Sequence, residues 1–229
     1  MVEMVRDAGA VPLLGDTPGG SWYRPARMEE TYEKTGMTEV SRQTGCPLLY
    51  EDEEGEFRLP LPEGRRIRST PALGVLRRVD GIVNLPKIKI HNFMVMTGAV
   101  KNLFGLVPGR RRLDVHWRFP DRTSFAGVLL DLARGLAPRL TVADGIVGME
   151  GNGPATGEPR ELGVLLAGRD PIAVDLVAAA LIGIPSGEIP TVAQARELGW
   201  GPSSLAEAGL AENILPSPVV FRRSACEFL

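Results

Sequence analysis

The chain has 229 residues, 44% of them hydrophobic and 24% charged, with a formal net charge of −2 at pH 7. That composition belongs to an ordinary globular protein long enough to bury its own core. The near balance of charge argues against a general nucleic-acid binder, which needs a broad basic face to displace counterions.

No apolar run approaches membrane-spanning length, and the N-terminus lacks the apolar core of a signal segment, so the reading is of no membrane and a cytoplasmic protein. Two cysteines, Cys46 and Cys226, form no CxxC and are read as reduced thiols. Residues 1–9 read as the end of a helix closed by Gly9, followed by a short buried strand over 10–16. The run Asp16 to Gly20, DTPGG, follows that strand. Glycines there let backbone N–H groups approach an anion, with a plain turn as the alternative, and they make Asp16 and Gly19 candidate ligand contacts. Helices are expected over 26–36 and 37–45, and a second strand over 46–52. Residues 53–66 carry Pro60 and Pro62 and read as a surface excursion or edge hairpin. Ser69, with Pro71 two residues on, suggests a short helix to Arg78, and GIVNLP after Asp80 a buried parallel strand.

The stretch from Ile82 to His116 then concentrates the chemistry. It holds both histidines, three of the four lysines, and the triple arginine Arg110 to Arg112. If 87–91 is extended, Lys87, Lys89 and His91 share one face, suited to a carboxylate or phosphate. A helix from Phe93 to Phe104 would carry Lys101 and Asn102 beside small residues, Thr97 and Gly98. On an apolar helix such a lysine either reaches out to water or sits partly desolvated, ready for an anion. His116, beside Trp117, is read as a core histidine, an acid or a metal ligand.

Beyond it lie a helix over 123–136, a strand ending at Asp144, a glycine-rich loop over 146–163, and a strand through Gly168. An apolar helix follows with Asp170 at its N-cap and Pro171 at N1, and then short helices near 190–198 and 203–209 and one late strand. In the loop, Glu150, Gly151, Asn152 and Gly153 could wrap a ligand, with Asp144 beside them. Asp175 is an unusual acid inside an apolar helix, read as a paired carboxylate that orients a site group. Nucleotide fingerprints are absent. Strands alternating with helices predict one α/β domain over 1–229, with a mostly parallel sheet and helices on both faces. Four strand ends, GDTPGG, NLPKIKIH, ADG to MEGNGP, and GRDP, could then converge on one crevice.

The runs NLPKIKIH, GAVKNLFGLVPG with the histidine after it, VADGIVGMEGNGPATG and GRDPIAVDLVAA resemble the family of domain of unknown function 362, whose members are often described as iron–sulfur-cluster-binding proteins. The resemblance covers most of the chain up to about Gly183. It implies an α/β domain often followed by a ferredoxin-like module. By that pattern the chain is truncated at both ends, and with only Cys226 where ferredoxin cysteines would begin it has no four-cysteine cluster of its own. A separate ferredoxin-like protein or a missing domain would be the implied partner. The order of histidine, lysine and histidine is also faintly similar to the core of the nickel-pincer lactate racemase family. That likeness implies an acid/base role for His91, a cofactor tether for Lys101 and a nickel ligand in His116, but the further catalytic histidine of that family has no counterpart here.

The leading expectation is an enzyme-like domain that binds a small anionic metabolite. Lys87, Lys89 and Lys101 would hold the carboxylate or phosphate, and His91 and His116 would handle protons or a metal. The cofactor is left open. The alternative is a non-catalytic, iron–sulfur-associated electron-transfer or scaffold subunit.

Overall fold

The computed structural model describes residues 1–17, 25–50, 54–210, 215–216 and 218–225. Its helices are α1 (Val2–Asp7), α2 (Pro25–Lys34), α3 (Met37–Thr44), α4 (Ala99–Asn102), α5 (Gly109–Arg118), α6 (Arg122–Leu136), α7 (Pro171–Leu181) and α8 (Pro190–Glu197). Its strands are β1 (Glu56–Pro60), β2 (Ser69–Leu73), β3 (Val83–Asn84), β4 (Lys87–His91), β5 (Val95–Thr97), β6 (Leu140–Glu150) and β7 (Glu158–Gly168). None of the described helices is long and apolar enough to cross a membrane. The chain divides into two compact units, one of Met1–Leu59, Thr70–Arg78 and Gly105–Trp117, the other of Pro60–Ser69, Val79–Phe104 and Arg118–Leu229.

In the first unit the described residues of the strands expected over 10–16 and 46–52 form a single parallel bridge, Leu14 to Leu48, and residues 51 and 52 lie outside the described residues. Buried Tyr32 holds the two segments. Its hydroxyl donates to the Leu49 carbonyl and accepts from the Asp16 N–H at 3.2 Å. The helix expected over 69–78 is instead β2 and a 3-10 turn. The backbone of 69–73 pairs with β1, and the Gly74 N–H donates to the Gly55 carbonyl at 2.8 Å, so sheet pairing overrides the local Ser-x-Pro signal. The segment 109–118, which the hydrophobic pattern does not mark, is α5. It is an arginine-rich helix that buries only Gly109 and Val115.

The second unit carries the main sheet, and its α/β class matches the reading from sequence. Strands β3 and β4 run parallel to β6, while β5 pairs antiparallel with β4 and β7 antiparallel with β6. β3 and β4 are one extended run interrupted at Pro86, whose carbonyl still accepts from the Asp144 N–H at 2.8 Å. The glycine-rich segment is not a loop over 146–163. β6 extends to Glu150 and β7 starts at Glu158, leaving only 151–157 as the turn. Because β7 is antiparallel, Gly168 lies opposite Thr141 at the start of β6, so the GRDP end cannot join the other strand ends. Asp170 instead does what its position suggested and caps α7, accepting from the Ile172 N–H at 2.8 Å. Residues 203–209 form turns rather than a helix. The described part of the tail is an extended strap, not a strand, with Val219 and Phe221 N–H groups on the Leu181 and Ile182 carbonyls.

Two buried carboxylates knit distant segments of this unit. Asp131, within the fully buried middle of α6, accepts the backbone N–H groups of Arg65, Arg66 and Ile67 at 2.8, 2.7 and 2.9 Å. Asp175, on α7, accepts from Ala99 at 2.5 Å and Val100 at 3.1 Å, the first two residues of α4. Gly98 permits this approach, since a Cβ there would meet Asp175 Oδ1 at 2.1 Å. Burial pushes the Asp175 carboxyl up to about 7; the two backbone donors oppose that shift and neighbouring Asp170 adds to it.

Each acid gives a measurable expectation. Asp131→Ala strands three backbone donors and should lower the unfolding free energy by roughly 3 kcal/mol in urea. The folded pKa of Asp175 exceeds its ordinary value of 3.8, so the native state holds the proton more tightly than the unfolded chain. The stability it contributes is complete below pH 3.8 and is lost as pH rises through about 7. Relative to Asp175→Asn, the wild type should lose up to about 1.4 kcal/mol per pH unit across that window. Parallel pH–stability curves for the two proteins would contradict the assignment.

Candidate functional site

The site begins where β4 ends. Ile88 and Ile90 enter the core, while Lys89 faces the opposite side and has Thr97 of β5 as its cross-strand partner. His91 closes the strand, and its ring turns back over the bend. Nδ1 lies 3.0 Å from the Phe93 nitrogen and 3.2 Å from the Met94 nitrogen. A backbone N–H can only donate, so Nδ1 accepts, and the neutral ring carries its proton on Nε2.

The bend itself is strained. Val95 has φ 63° although it is β-branched and buried, and the Met96 N–H returns to the Met94 carbonyl at 2.6 Å. That three-residue closure with positive φ is the rare form of γ-turn, with a cost of about 1–3 kcal/mol. Surrounding contacts hold it in place. The Asn92 N–H donates to the Gly153 carbonyl at 3.1 Å, and Arg122 Nη2 donates to the Asn92 carbonyl at 3.2 Å. Gly153 presses on the strand so closely that a Cβ there would sit 1.8 Å from the Ile90 carbonyl oxygen. The backbone just after His91 thus meets the 151–153 turn.

Lys101 does not sit on a helix from Phe93 to Phe104. The bend and β5 occupy the first half of that span, and α4 is a single turn starting at Ala99. Thr97 is thus a strand residue, not the helical neighbour of Lys101. Asp175 fixes the start of α4, and Asn84 fixes its side. Asn84 Nδ2 donates to the Ala99 carbonyl at 2.9 Å, and its Oδ1 accepts from Asn102 Nδ2 at 2.8 Å. Lys101 Nζ lies 5.8 Å from the centre of the Phe104 ring. Phe104 packs edge-on against Phe125 at 5.3 Å, and Phe93 meets the same Phe125 at 5.5 Å. One buried ring of α6 therefore anchors both the His91 bend and the segment bearing Lys101.

Among the described residues, two buried polar atoms around this bend have no hydrogen-bond partner: Thr97 Oγ1 and Arg122 Nε. From sequence Thr97 is read only as a small residue that leaves room beside Lys101, not as a ligand contact, and Arg122 is not read as part of a site. Thr97 carried a signal, as a polar residue inside an apolar run, whereas Arg122 arrives from α6 with none.

Other expected residues are engaged elsewhere. Lys87 Nζ binds Asp144 Oδ2 at 2.5 Å and the Val147 carbonyl at 3.1 Å. Burial alone would raise the Asp144 carboxyl, but the Lys87 ammonium and the Ile146 N–H outweigh it and hold it low. Glu150 is buried and binds Arg222 through the backbone N–H at 3.0 Å and Nε at 2.8 Å. These donors overcome the effect of burial and keep it ionised below the usual range. Gly151, at φ 76°, donates to the Arg222 carbonyl, and Asn152 Oδ1 accepts from Ala225 N–H at 3.0 Å. Glu150, Gly151 and Asn152 thus bind the C-terminal strap.

His116 lies on α5 and Asp16 beside Tyr32, both in the first unit, while His91 and Lys101 belong to the second. Asp16 Oδ1 accepts from the Thr17 N–H at 2.7 Å, and Gly19 lies outside the described residues. Among the described residues no group of three or more His, Cys, Asp or Glu side chains gathers as a metal donor set. In the triple arginine, Arg111 forms a close pair with Glu56 at 2.5 Å and Arg110 adds a longer one at 3.5 Å. Hydrogen bonding to Arg111 is the main reason the Glu56 carboxyl is held low.

The chain is similar to a thylakoid-associated protein, sll1697, of Synechocystis sp., at 33% identity over 211 residues, which is 89% of this chain and 61% of that protein. It therefore spans about three-fifths of the length of this curated relative. No solved structure matches it. The model of a family described as a domain of unknown function (DUF362) matches residues 1–180. That match takes in well over half of the chain, and the protein belongs to the DUF362 family.

Proposed function

We propose that the second unit is an enzyme-like domain that binds a small carboxylate or phosphate at the His91–Lys101 strand end. The observation that carries this reading is Thr97 Oγ1, a buried hydroxyl without a partner, directly across the ladder from Lys89 and four residues before Lys101. An unsatisfied hydroxyl is a standing cost that a bound acceptor removes. Lys89 and Lys101 supply charge, Thr97 donates to the anion, and His91 offers the Nε2 proton as a hydrogen-bond donor. Arg122 Nε adds a further donor beside Asn92. Lys87 stands at the rim, paired with Asp144, and tunes the local field rather than the contact. This narrows the expected cradle of three lysines to two.

A preorganised set of donors on rigid elements costs little reorganisation when an anion arrives. The strained bend, over-determined by the contacts of Asn92 and Gly153, belongs to the same logic.

Two variants test the reading with phosphate as the probe. Thr97→Val removes a hydroxyl that has no hydrogen-bond partner among the described residues. It should leave stability within about 1 kcal/mol while weakening phosphate binding about tenfold by calorimetric titration. Lys101→Met should abolish binding and move the melting temperature by only a few degrees. A marked fall in melting temperature, with binding lost only through unfolding, would instead make Lys101 one half of a structural ion pair. Bound iron with visible iron–sulfur absorbance in the purified protein, and no phosphate binding, would favour a non-catalytic electron-transfer or scaffold subunit.

A further inference from the structure

A cavity of about 230 Å³ opens in the second unit between α6, α8 and the 61–68 loop, lined by Arg65, Arg66, Gly127, Asp131, Gln194 and Leu198. Asp131 is the one carboxylate in that lining, and both of its oxygens are engaged by the three backbone N–H groups of residues 65–67. It is therefore not a side-chain partner for the arginines above it. Arg65 lies over the Trp200 ring at 5.3 Å, and Arg134 over the same ring at 4.3 Å. Arg134 is neutralised by Glu63 at 2.6 Å. Arg65 and Arg66 form no ion pair among the described residues, and both are exposed at the mouth of the cavity.

Gln194, in the same lining, carries a different feature. Gln194 is only 9% exposed, its Nε2 donates to Glu197 Oε2 at 2.9 Å, and its Oε1 is buried with no donor. The bond to Glu197 fixes which end of the amide is which, because a carboxylate oxygen accepts only from the nitrogen. Among the described residues, the lining thus carries two guanidinium groups without carboxylate partners and one buried acceptor, Gln194 Oε1, without a hydrogen-bond partner. A ligand that satisfies both needs an anionic group at one end and an O–H donor at the other.

We infer that this cavity is a second ligand site, separate from the His91–Lys101 strand end, and that it takes a small hydroxylated anion. The carboxylate or phosphate sits on Arg65 and Arg66, and the hydroxyl donates to Gln194 Oε1. The arginine side chains set affinity, and the glutamine sets the preference for a hydroxyl over a hydrogen.

Calorimetric titration of the whole chain with two matched pairs tests this: malate against succinate, and glycerol 3-phosphate against n-propyl phosphate. The hydroxylated member of at least one pair should bind about tenfold more tightly than its deoxy counterpart, the factor expected of one hydrogen bond. Which pair responds identifies the anion as carboxylate or phosphate. Gln194→Leu should erase that preference, and Arg65→Gln with Arg66→Gln should weaken every probe at this site about tenfold or more. Lys101→Met should leave the preference intact, so that failure of this site and failure of the strand-end site are separable. The two arginines are exposed, so their double variant folds and decides the matter even if Gln194→Leu does not. No saturable binding, equal binding within both pairs, or a hydroxyl preference that survives the double arginine variant would overturn the assignment, as would a hydroxyl preference lost in Lys101→Met.

Discussion

A single buried carboxylate, Asp175, fixes the place of α4, and the proposed site depends on that placement. α4 is one turn long, too short to persist on its own helical propensity. Its first two N–H groups end on Asp175, its Ala99 carbonyl accepts from Asn84, and Asn102 closes the arrangement on the Asn84 oxygen. A lysine on a free single turn would sample many positions, whereas Lys101 starts from a backbone held at three points. The carboxyl that does this sits near its midpoint at neutral pH, because burial disfavours its charge while the two N–H groups favour it.

The His91 bend applies the opposite device, strain held by redundancy. Val95 at positive φ would relax if released, yet the Asn92 backbone is tied at both ends and Gly153 lies against the Ile90 carbonyl. The imidazole completes the lock by accepting the N–H groups of residues 93 and 94. One nitrogen of the ring is therefore committed to structure and the other to donation. Phe125 links the two devices, since Phe93 and Phe104 both pack on it. The contacts that hold these segments come from α6 and α7 together with Asn84 of β3 and the turn at Gly153.

Much of this was legible wherever local chemistry and tertiary packing agree. Asp170 before Pro171 and an apolar run marks the start of α7, and α6 shows its period. Asp175 stands out as an acid among alanines and valines. Asp131 sits in the same kind of apolar helix and does equivalent work, yet its neighbours gave no reason to single it out, because its partners are backbone groups some 65 residues away. The long β6–β7 hairpin was hidden by its glycines. At Gly145 and Gly148 a Cβ would press on Ile88 and Phe221, so glycine there makes room for packing on the sheet rather than marking a loop. α4 was overextended because apolar residues at 94, 95 and 100 mimic a helical period, while the γ-turn at Val95 has no sequence signature. The pairing of Lys87 with Asp144 depends on strand register, which an ordered list of elements does not contain.

The central claim is that His91 is a fixed neutral donor, through Nε2, at an anion site shared with Thr97 and Lys101. Long-range proton–nitrogen NMR correlation on uniformly labelled protein tests it most directly, because the imidazole nitrogens report the tautomer and any ligand contact together. The account predicts an Nε2–H tautomer at neutral pH, with the His91 Nε2 and Thr97 resonances shifting saturably on addition of phosphate. An Nδ1–H tautomer, or resonances that stay still while phosphate binds, would contradict it.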